Sequence, residues 1–135
     1  MIDSSRMTRA AAYTLVTLLL AGALAWPGSA HAHARLERSK PAAEAELGAS
    51  PKAITLWFNE QPEADFSSVK VLDAAGQVVV QGALGPTPEA NGLELAVPTA
   101  LAPGAYTVHY RVLSVDGHVI EEDFTFRVAA PAAAP

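Results

Sequence analysis

The stretch YTVHYRV, from Tyr106 to Val112, alternates apolar and polar residues with a period of two. The same alternation recurs in ITLWF at positions 54–58 and in DFTFRV at positions 123–128. Successive side chains of an extended strand point to opposite faces of a sheet, so this pattern predicts strands with one buried face. No stretch keeps the apolar spacing of three and four residues that an amphipathic helix requires.

Turn residues, such as those at 73–76 and Asn91-Gly92, separate the apolar runs. About seven short strands with this punctuation predict one all-β domain, a Greek-key β-sandwich or barrel of Ig-like or cupredoxin-like architecture. The length of 135 residues, with 50% apolar and 17% charged residues, suits a single domain with a core and argues against a disordered chain. The absence of cysteine excludes disulfides, thiolate metal sites and cysteine nucleophiles.

Residues 1–32 have the pattern of a secretory signal peptide. Arg6 and Arg9 precede an apolar run at positions 10–25, and Ala30-His31-Ala32 fits a small-residue cleavage site. The apolar run is shorter than the roughly 20 residues that a membrane-spanning helix needs. We therefore expect a periplasmic domain at 33–128 without a membrane span, followed by a disordered Ala/Pro-rich tail at 129–135. Cleavage after Ala30 is the alternative and would leave His31 at the amino terminus.

The overall charge argues against a nucleic-acid partner. The net charge is −5 and no run of basic residues is present. Loss of the signal peptide makes the chain one unit more negative, because two arginines and one aspartate leave with it. Both methionines, Met1 and Met7, leave as well.

The segment Ser114-Val115-Asp116-Gly117-His118 carries a candidate metal site. Asp116 and His118 have the same parity, and Gly117 allows a bend that brings them closer together. A carboxylate and an imidazole at this spacing suit a divalent ion, although an Asp-Gly pair taken alone favours an ordinary hairpin turn.

The predicted cleavage point adds further donors to this site. His33 at the amino terminus offers its α-amine, whose pKa is near ~8, and its Nδ1 as a chelate. Together with His118 and Asp116 this makes three nitrogens and one oxygen, a set that favours Cu(II). No cysteine or methionine remains to favour Cu(I). If His31 were the first residue, His31-Ala32-His33 would bind Cu(II) by itself and leave Asp116 and His118 with little to do.

The order of these motifs resembles the CopC-type family of periplasmic copper-resistance and copper-carrier proteins. The resemblance covers residues 33–128 and rests on five stretches: His33-Ala34-Arg35-Leu36, Ser39-Lys40-Pro41-Ala42, Leu56-Trp57-Phe58-Asn59-Glu60, Leu101-Ala102-Pro103-Gly104-Ala105-Tyr106, and Ser114-Val115-Asp116-Gly117-His118 with Phe124-Thr125-Phe126.

The resemblance implies a Greek-key domain that carries one Cu(II) on His33, Asp116 and His118. It also implies that Glu60 orients a ligand or binds weakly; the alternative is a solvated carboxylate at a strand end. Some members hold a Met-rich Cu(I) site, for which the matching stretch here has no methionine. An inner-membrane copper transporter of the CopD type is the expected partner, and a monomer is the expected state.

The sequence leaves three candidate functions open, each belonging to a different class of protein. The first is a non-catalytic copper carrier or buffer, and the second is an oxidative enzyme with a histidine brace. Few aromatic residues and an aspartate ligand in the copper plane argue against the enzyme. The third is an Ig-like interaction module without metal. His109 is expected to be an exposed strand residue rather than a ligand. Trp57 is either a surface aromatic residue or a lid over the site.

Overall fold

The computed structural model describes residues 33–131; the predicted signal peptide and the last four residues of the predicted tail lie outside the described part. The described part contains nine strands and one short 3-10 helix. The strands are β1 (Leu36–Lys40), β2 (Glu46–Leu47), β3 (Ala53–Phe58), β4 (Ser68–Leu72), β5 (Val78–Gln81), β6 (Gly85–Pro86), β7 (Gly92–Ala96), β8 (Gly104–Leu113) and β9 (Val119–Val128).

The strands form two sheets. One has the order β1-β3-β7-β6, and the other has the order β2-β9-β8-β4-β5. All pairs are antiparallel except β2 with β9. The predicted β-sandwich is confirmed, and within residues 33–131 the two sheets do not close into a barrel. The count exceeds the predicted seven because β2 and β6 have two residues each, too few to show any periodicity.

The period of two in β8 matches its burial. Tyr106, Val108, Tyr110 and Val112 are buried, whereas the residues between them are not. Tyr110 meets Phe58 of the other sheet edge to face, with ring centroids 5.9 Å apart. The core between the sheets consists of apolar residues from both: Ala34, Ile54, Leu56, Phe58, Val69, Val71, Val80, Leu93, Leu95, Val97, Tyr106, Val108, Tyr110, Val112, Phe126 and Val128.

The expectation of no amphipathic helix agrees with the structure. The only helical element among residues 33–131 is a 3-10 turn at Ala64–Phe66. No helix in this part of the chain is long and apolar enough to cross a membrane.

Three chain segments meet at one end of the sandwich. Because β1 and β3 are antiparallel, the residues before Leu36 lie beside those after Phe58. The hairpin that joins β8 to β9 belongs to the same end, since the backbone N–H of Glu63 donates to the carbonyl of Leu113 at 2.9 Å. This end of the sandwich therefore carries the residues that the sequence singled out.

A β-bulge lies at the start of β1. Leu36 pairs with Phe58 and Arg38 pairs with Trp57, so Glu37 is an extra residue on β1. A bulge of this kind reverses which face the following residues point to. Ala34, two residues before the bulge, is only 2% exposed and belongs to the core, while His33 and Arg35 on either side are exposed.

Candidate metal centre

The loop between β8 and β9 is a tight turn that brings Asp116 and His118 together. The backbone N–H of Gly117 donates to the carbonyl of Ser114 at 2.9 Å, and the N–H of Ser114 donates to the carbonyl of His118 at 2.8 Å. Gly117 has a φ of 87°, in the left-handed region that glycine adopts without strain. The bend predicted from Gly117 is present, and the segment is a hairpin turn as well as a candidate site.

His33 completes a compact group with these two residues. Its Nδ1 lies 3.4 Å from Oδ2 of Asp116, and Nδ1 of His118 lies 3.0 Å from Oδ1 of the same carboxylate. The two imidazole rings meet edge to face, with centroids 4.2 Å apart. The three predicted ligand residues are thus neighbours in space, although His33 is more than 80 positions away from Asp116 and His118 in the sequence.

The dimensions of this group suit a single small metal ion. One donor atom from each of the three residues lies within 4.8 Å of the others. At metal–ligand distances near ~2 Å, ligands around one ion lie about 2.8 Å apart when adjacent and about 4 Å apart when opposite. The donor atoms are therefore close to the spacing that a shared ion requires. Both rings are accessible, since 49% of the His33 side chain and 57% of the His118 side chain are exposed.

The local hydrogen bonds keep Asp116 ionised. The backbone N–H of His118, which donates to Oδ1 of Asp116 at 3.1 Å, is the largest cause that lowers the pKa of this carboxyl group to about 2. Partial burial opposes the shift, while the His118 ring and the Ser114 hydroxyl add to it. Asp116 is therefore a carboxylate throughout the physiological pH range, as an oxygen ligand must be.

Glu60 lies outside the group of three and contacts it through Ser114. The Ser114 hydroxyl donates to Oε1 of Glu60, and Ser114 is only 1% exposed. Ser114 is also the residue whose backbone closes the hairpin turn. Glu60 is therefore hydrogen-bonded to the base of the turn that carries Asp116 and His118.

Sequence reasoning missed Asn59. Its Oδ1 accepts a hydrogen bond from the backbone N–H of Arg35 at 2.6 Å, and its Nδ2 donates to the carbonyl of His33 at 3.2 Å. Its own backbone N–H donates to the carbonyl of Arg35 at 3.0 Å. The available signal was a polar residue directly after a buried strand, but the pairing of β1 with β3 was needed to connect Asn59 to His33.

His109 and Trp57 lie on the outer faces of the sheets. His109 contacts Asp123 and Glu121, and 30% of its side chain remains exposed. It is not part of the group around Asp116. The guanidinium of Arg38 stacks on Trp57 at 3.8 Å from the ring centroid, and Arg38 also pairs with Glu89. Trp57 is thus a surface aromatic residue covered by Arg38.

The fold and this group together define a class: a small β-sandwich with a His-Asp-His cluster at one end. The family model for the CopC domain matches residues 36–129. The chain belongs to the CopC family.

Several known proteins are similar to this chain. Protein YobA of Escherichia coli K12 is 37% identical over 130 residues, which cover 95% of this chain and 99% of YobA. Copper resistance protein C of Pseudomonas syringae pv. tomato is 32% identical and covers 85% of this chain and 94% of that protein. The crystal structure of CopC from Methylosinus trichosporium OB3b has a TM-score of 0.69 and 39% identity, covering 76% of this chain and 99% of that one.

A methionine-rich member provides a contrast in composition. PcoC of Escherichia coli, described as a methionine-rich copper resistance protein, has a TM-score of 0.64 and 29% identity, covering 72% of this chain and 99% of that one. In the present chain the methionines are Met1 and Met7 alone.

Proposed function

We propose that this protein is a periplasmic copper carrier or buffer that binds one Cu(II) per chain. The ligands are the α-amine and Nδ1 of His33, a carboxylate oxygen of Asp116, and an imidazole nitrogen of His118. The observation that carries the proposal is the convergence of these three residues, whose donor atoms lie within 4.8 Å of one another. Membership of a family that includes copper resistance proteins supports the choice of metal.

The donor set favours Cu(II) over Cu(I) and over harder ions. Three nitrogens and one oxygen suit the tetragonal geometry of Cu(II), whereas Cu(I) prefers the sulfur of cysteine and methionine. The chain contains no cysteine, and both methionines lie in the predicted signal peptide. Cu(II) should therefore bind much more tightly than Cu(I).

The binding step is a proton exchange. At neutral pH the α-amine carries a proton, which leaves to solvent as the nitrogen binds copper, and each imidazole must be neutral at the nitrogen that binds. Asp116 is already ionised and loses no proton. Acid therefore releases copper, because protons displace the metal from the amine and imidazole nitrogens. Because both rings are exposed, an acceptor can also approach and replace the ligands one at a time.

A carrier role fits this exposed site. A monomer with the metal near its surface can deliver copper to an inner-membrane transporter of the CopD type, which we propose as its partner. We infer that the protein is not an enzyme, because Asp116 would supply a ligand to bound copper where an oxidative enzyme needs an open coordination position. Peroxide formation by the copper-loaded protein with ascorbate would contradict this inference.

The test compares two chains that differ at the amino terminus. One begins at His33 with a free α-amine, and the matched control is the same chain with that amine acetylated, which removes the amine nitrogen as a donor and leaves the imidazole in place. Competition titration with a Cu(II) chelator should show one tight site in the first chain and at least tenfold weaker binding in the second. Equal affinities would contradict the amino-terminal chelate. Absence of stoichiometric binding by the first chain would overturn the copper function and favour a metal-free interaction module.

A further inference from the structure

We propose that Asn59 is a positioning residue that fixes His33 for metal binding. The inference rests on the proposed function and extends it to a residue that touches no metal. Asn59 directly follows β3, and its backbone and side chain bond to both ends of the His33–Arg35 segment.

Three hydrogen bonds attach this segment to Asn59. The side-chain Oδ1 accepts from the N–H of Arg35, the backbone N–H donates to the carbonyl of Arg35, and the side-chain Nδ2 donates to the carbonyl of His33. The backbone bond extends the contact between the two chain segments by one residue beyond Leu36, and the side-chain bond to the N–H of Arg35 lies beside it. The third reaches His33 itself, beyond the last ladder position.

The site needs such a contact because His33 is the first residue of the predicted mature chain. A chain terminus is mobile unless hydrogen bonds or burial hold it, and ordering it at the moment of binding weakens affinity. Burial of Ala34 holds the segment against the core, but it makes no contact with the polar backbone groups of His33. The bond from Asn59 to the His33 carbonyl fixes the direction of His33 towards Asp116.

An amide side chain suits this position. The contact requires an acceptor for one backbone N–H and a donor for one carbonyl on the same short side chain, and only asparagine offers both at this length. Aspartate keeps the acceptor for Arg35 but turns an oxygen towards the carbonyl oxygen of His33. Alanine removes both bonds and leaves the backbone bond of residue 59 in place.

Gln61 provides a matched control close by in the same segment. Its Oε1 accepts a hydrogen bond from the backbone N–H of Asn91 at 2.9 Å, so it fastens the other side of this segment. Asn59 and Gln61 are both amides that hold a neighbouring backbone, but only Asn59 bonds to His33. If these amides acted only through the general rigidity of the segment, substitutions of Asn59 and of Gln61 would both weaken Cu(II) binding. If Asn59 positions His33, substitutions of Asn59 alone should weaken it.

The experiment measures Cu(II) affinity and the EPR spectrum of the chain that begins at His33. Asn59→Ala and Asn59→Asp should weaken Cu(II) binding by about 10- to 100-fold, the usual effect of removing a group that orients a ligand. The single EPR species of the parent should become a mixture, because His33 no longer keeps one position. Gln61→Ala should leave both the affinity and the spectrum unchanged.

A double-mutant cycle separates positioning from stability. If Asn59 acts through His33, Asn59→Ala should change affinity by less than about twofold when His33→Ala and acetylation of the α-amine have already removed both donors of residue 33. The same loss in both backgrounds, or unchanged affinity and spectrum in both Asn59 variants, would overturn the proposal. Absence of Cu(II) binding by the parent chain would instead overturn the proposed function. The Asp variant, which is the same size as asparagine, keeps the test valid if the Ala variant fails to fold.

Discussion

Two clusters in this domain combine histidine with carboxylates, and only one of them is arranged for a metal. At the end of the sandwich, two imidazoles turn their Nδ1 atoms towards one carboxylate, that of Asp116. On the outer face of the five-stranded sheet, one imidazole lies between two carboxylates: Nδ1 of His109 is 2.5 Å from Asp123, and Nε2 is 3.2 Å from Glu121.

The difference lies in the direction of the donor atoms rather than in composition. The two nitrogens of one imidazole point away from each other, so a single ion cannot bind both. The His109 cluster therefore forms hydrogen bonds between neighbouring strands, since His109 and Asp123 are direct cross-strand partners. The Asp116 group has donors from two separate segments that converge on one point. Convergence of this kind, more than the number of ligand-type residues, identifies the candidate metal centre.

The largest expected effect compares histidines across the two clusters. His33→Ala and His118→Ala should each weaken Cu(II) binding by more than about 100-fold, because each removes a nitrogen that contacts the metal rather than one that orients a ligand. His109→Ala should leave affinity unchanged. Competition titrations on the three variants check this. Equal affinity in all three would contradict the site assignment.

A smaller effect is expected from the carboxylates. Asp116→Asn should weaken Cu(II) binding by about tenfold, within the range for groups that tune a site, because an amide oxygen can still approach the metal. Asp123→Asn, the matching change beside His109, should have no effect on affinity. The same titration measures both, and a loss at Asp123 as large as that at Asp116 would remove the distinction between the clusters.

The turn geometry sharpens the comparison further. Gly117→Ala meets no steric contact but forces alanine into the left-handed region at a φ of 87°. Such a change costs about 1–2 kcal/mol of folding free energy. Thermal unfolding should therefore show a lower midpoint, and Cu(II) binding should weaken by less than in Asp116→Asn. Gly48→Ala, where the added carbon also meets nothing and the φ is not left-handed, serves as the control. Equal midpoints for Gly117→Ala and Gly48→Ala would show that the turn tolerates other residues.

The pH dependence separates the nitrogens from the carboxylate. Copper should be released as the pH falls, because protons compete with the metal for the amine and imidazole nitrogens. Asp116 does not take part, since its pKa of about 2 keeps it ionised throughout the physiological pH range. Its lowered pKa stabilises the fold above the ordinary value of 3.8, and that contribution is lost only as the pH falls towards 2. The midpoint of copper release should rise in Asp116→Asn only as its weaker binding requires, whereas the number of protons taken up per copper released should be the same in the parent and the variant. A different number of protons would contradict this view.

The sequence predicts most of the fold because burial leaves a readable pattern. The period of two in β3, β8 and β9 identifies the strands, and Asp-Gly-His identifies the turn with its two candidate ligands. The strands β2 and β6 could not be predicted from the sequence. Each has only two residues and is defined by its pairing with a neighbouring strand.

The supporting contacts of the site were less accessible to sequence reasoning. The bond from Ser114 to Glu60 joins residues far apart in the chain, and the bonds from Asn59 to the His33–Arg35 segment depend on the register of β1 against β3. A periodic pattern shows which face of a strand is buried but not which strand lies beside it. The resemblance to the CopC family pointed to Glu60, while Asn59 emerged only from the three-dimensional arrangement.

The most direct test of the account is a Cu(II) EPR spectrum of the protein purified after natural export, together with its intact mass. We expect a mass that begins at His33 and one tetragonal Cu(II) signal per chain with mixed nitrogen and oxygen ligands. Failure of that same chain to bind one Cu(II) would contradict the central claim and leave a plain β-sandwich module.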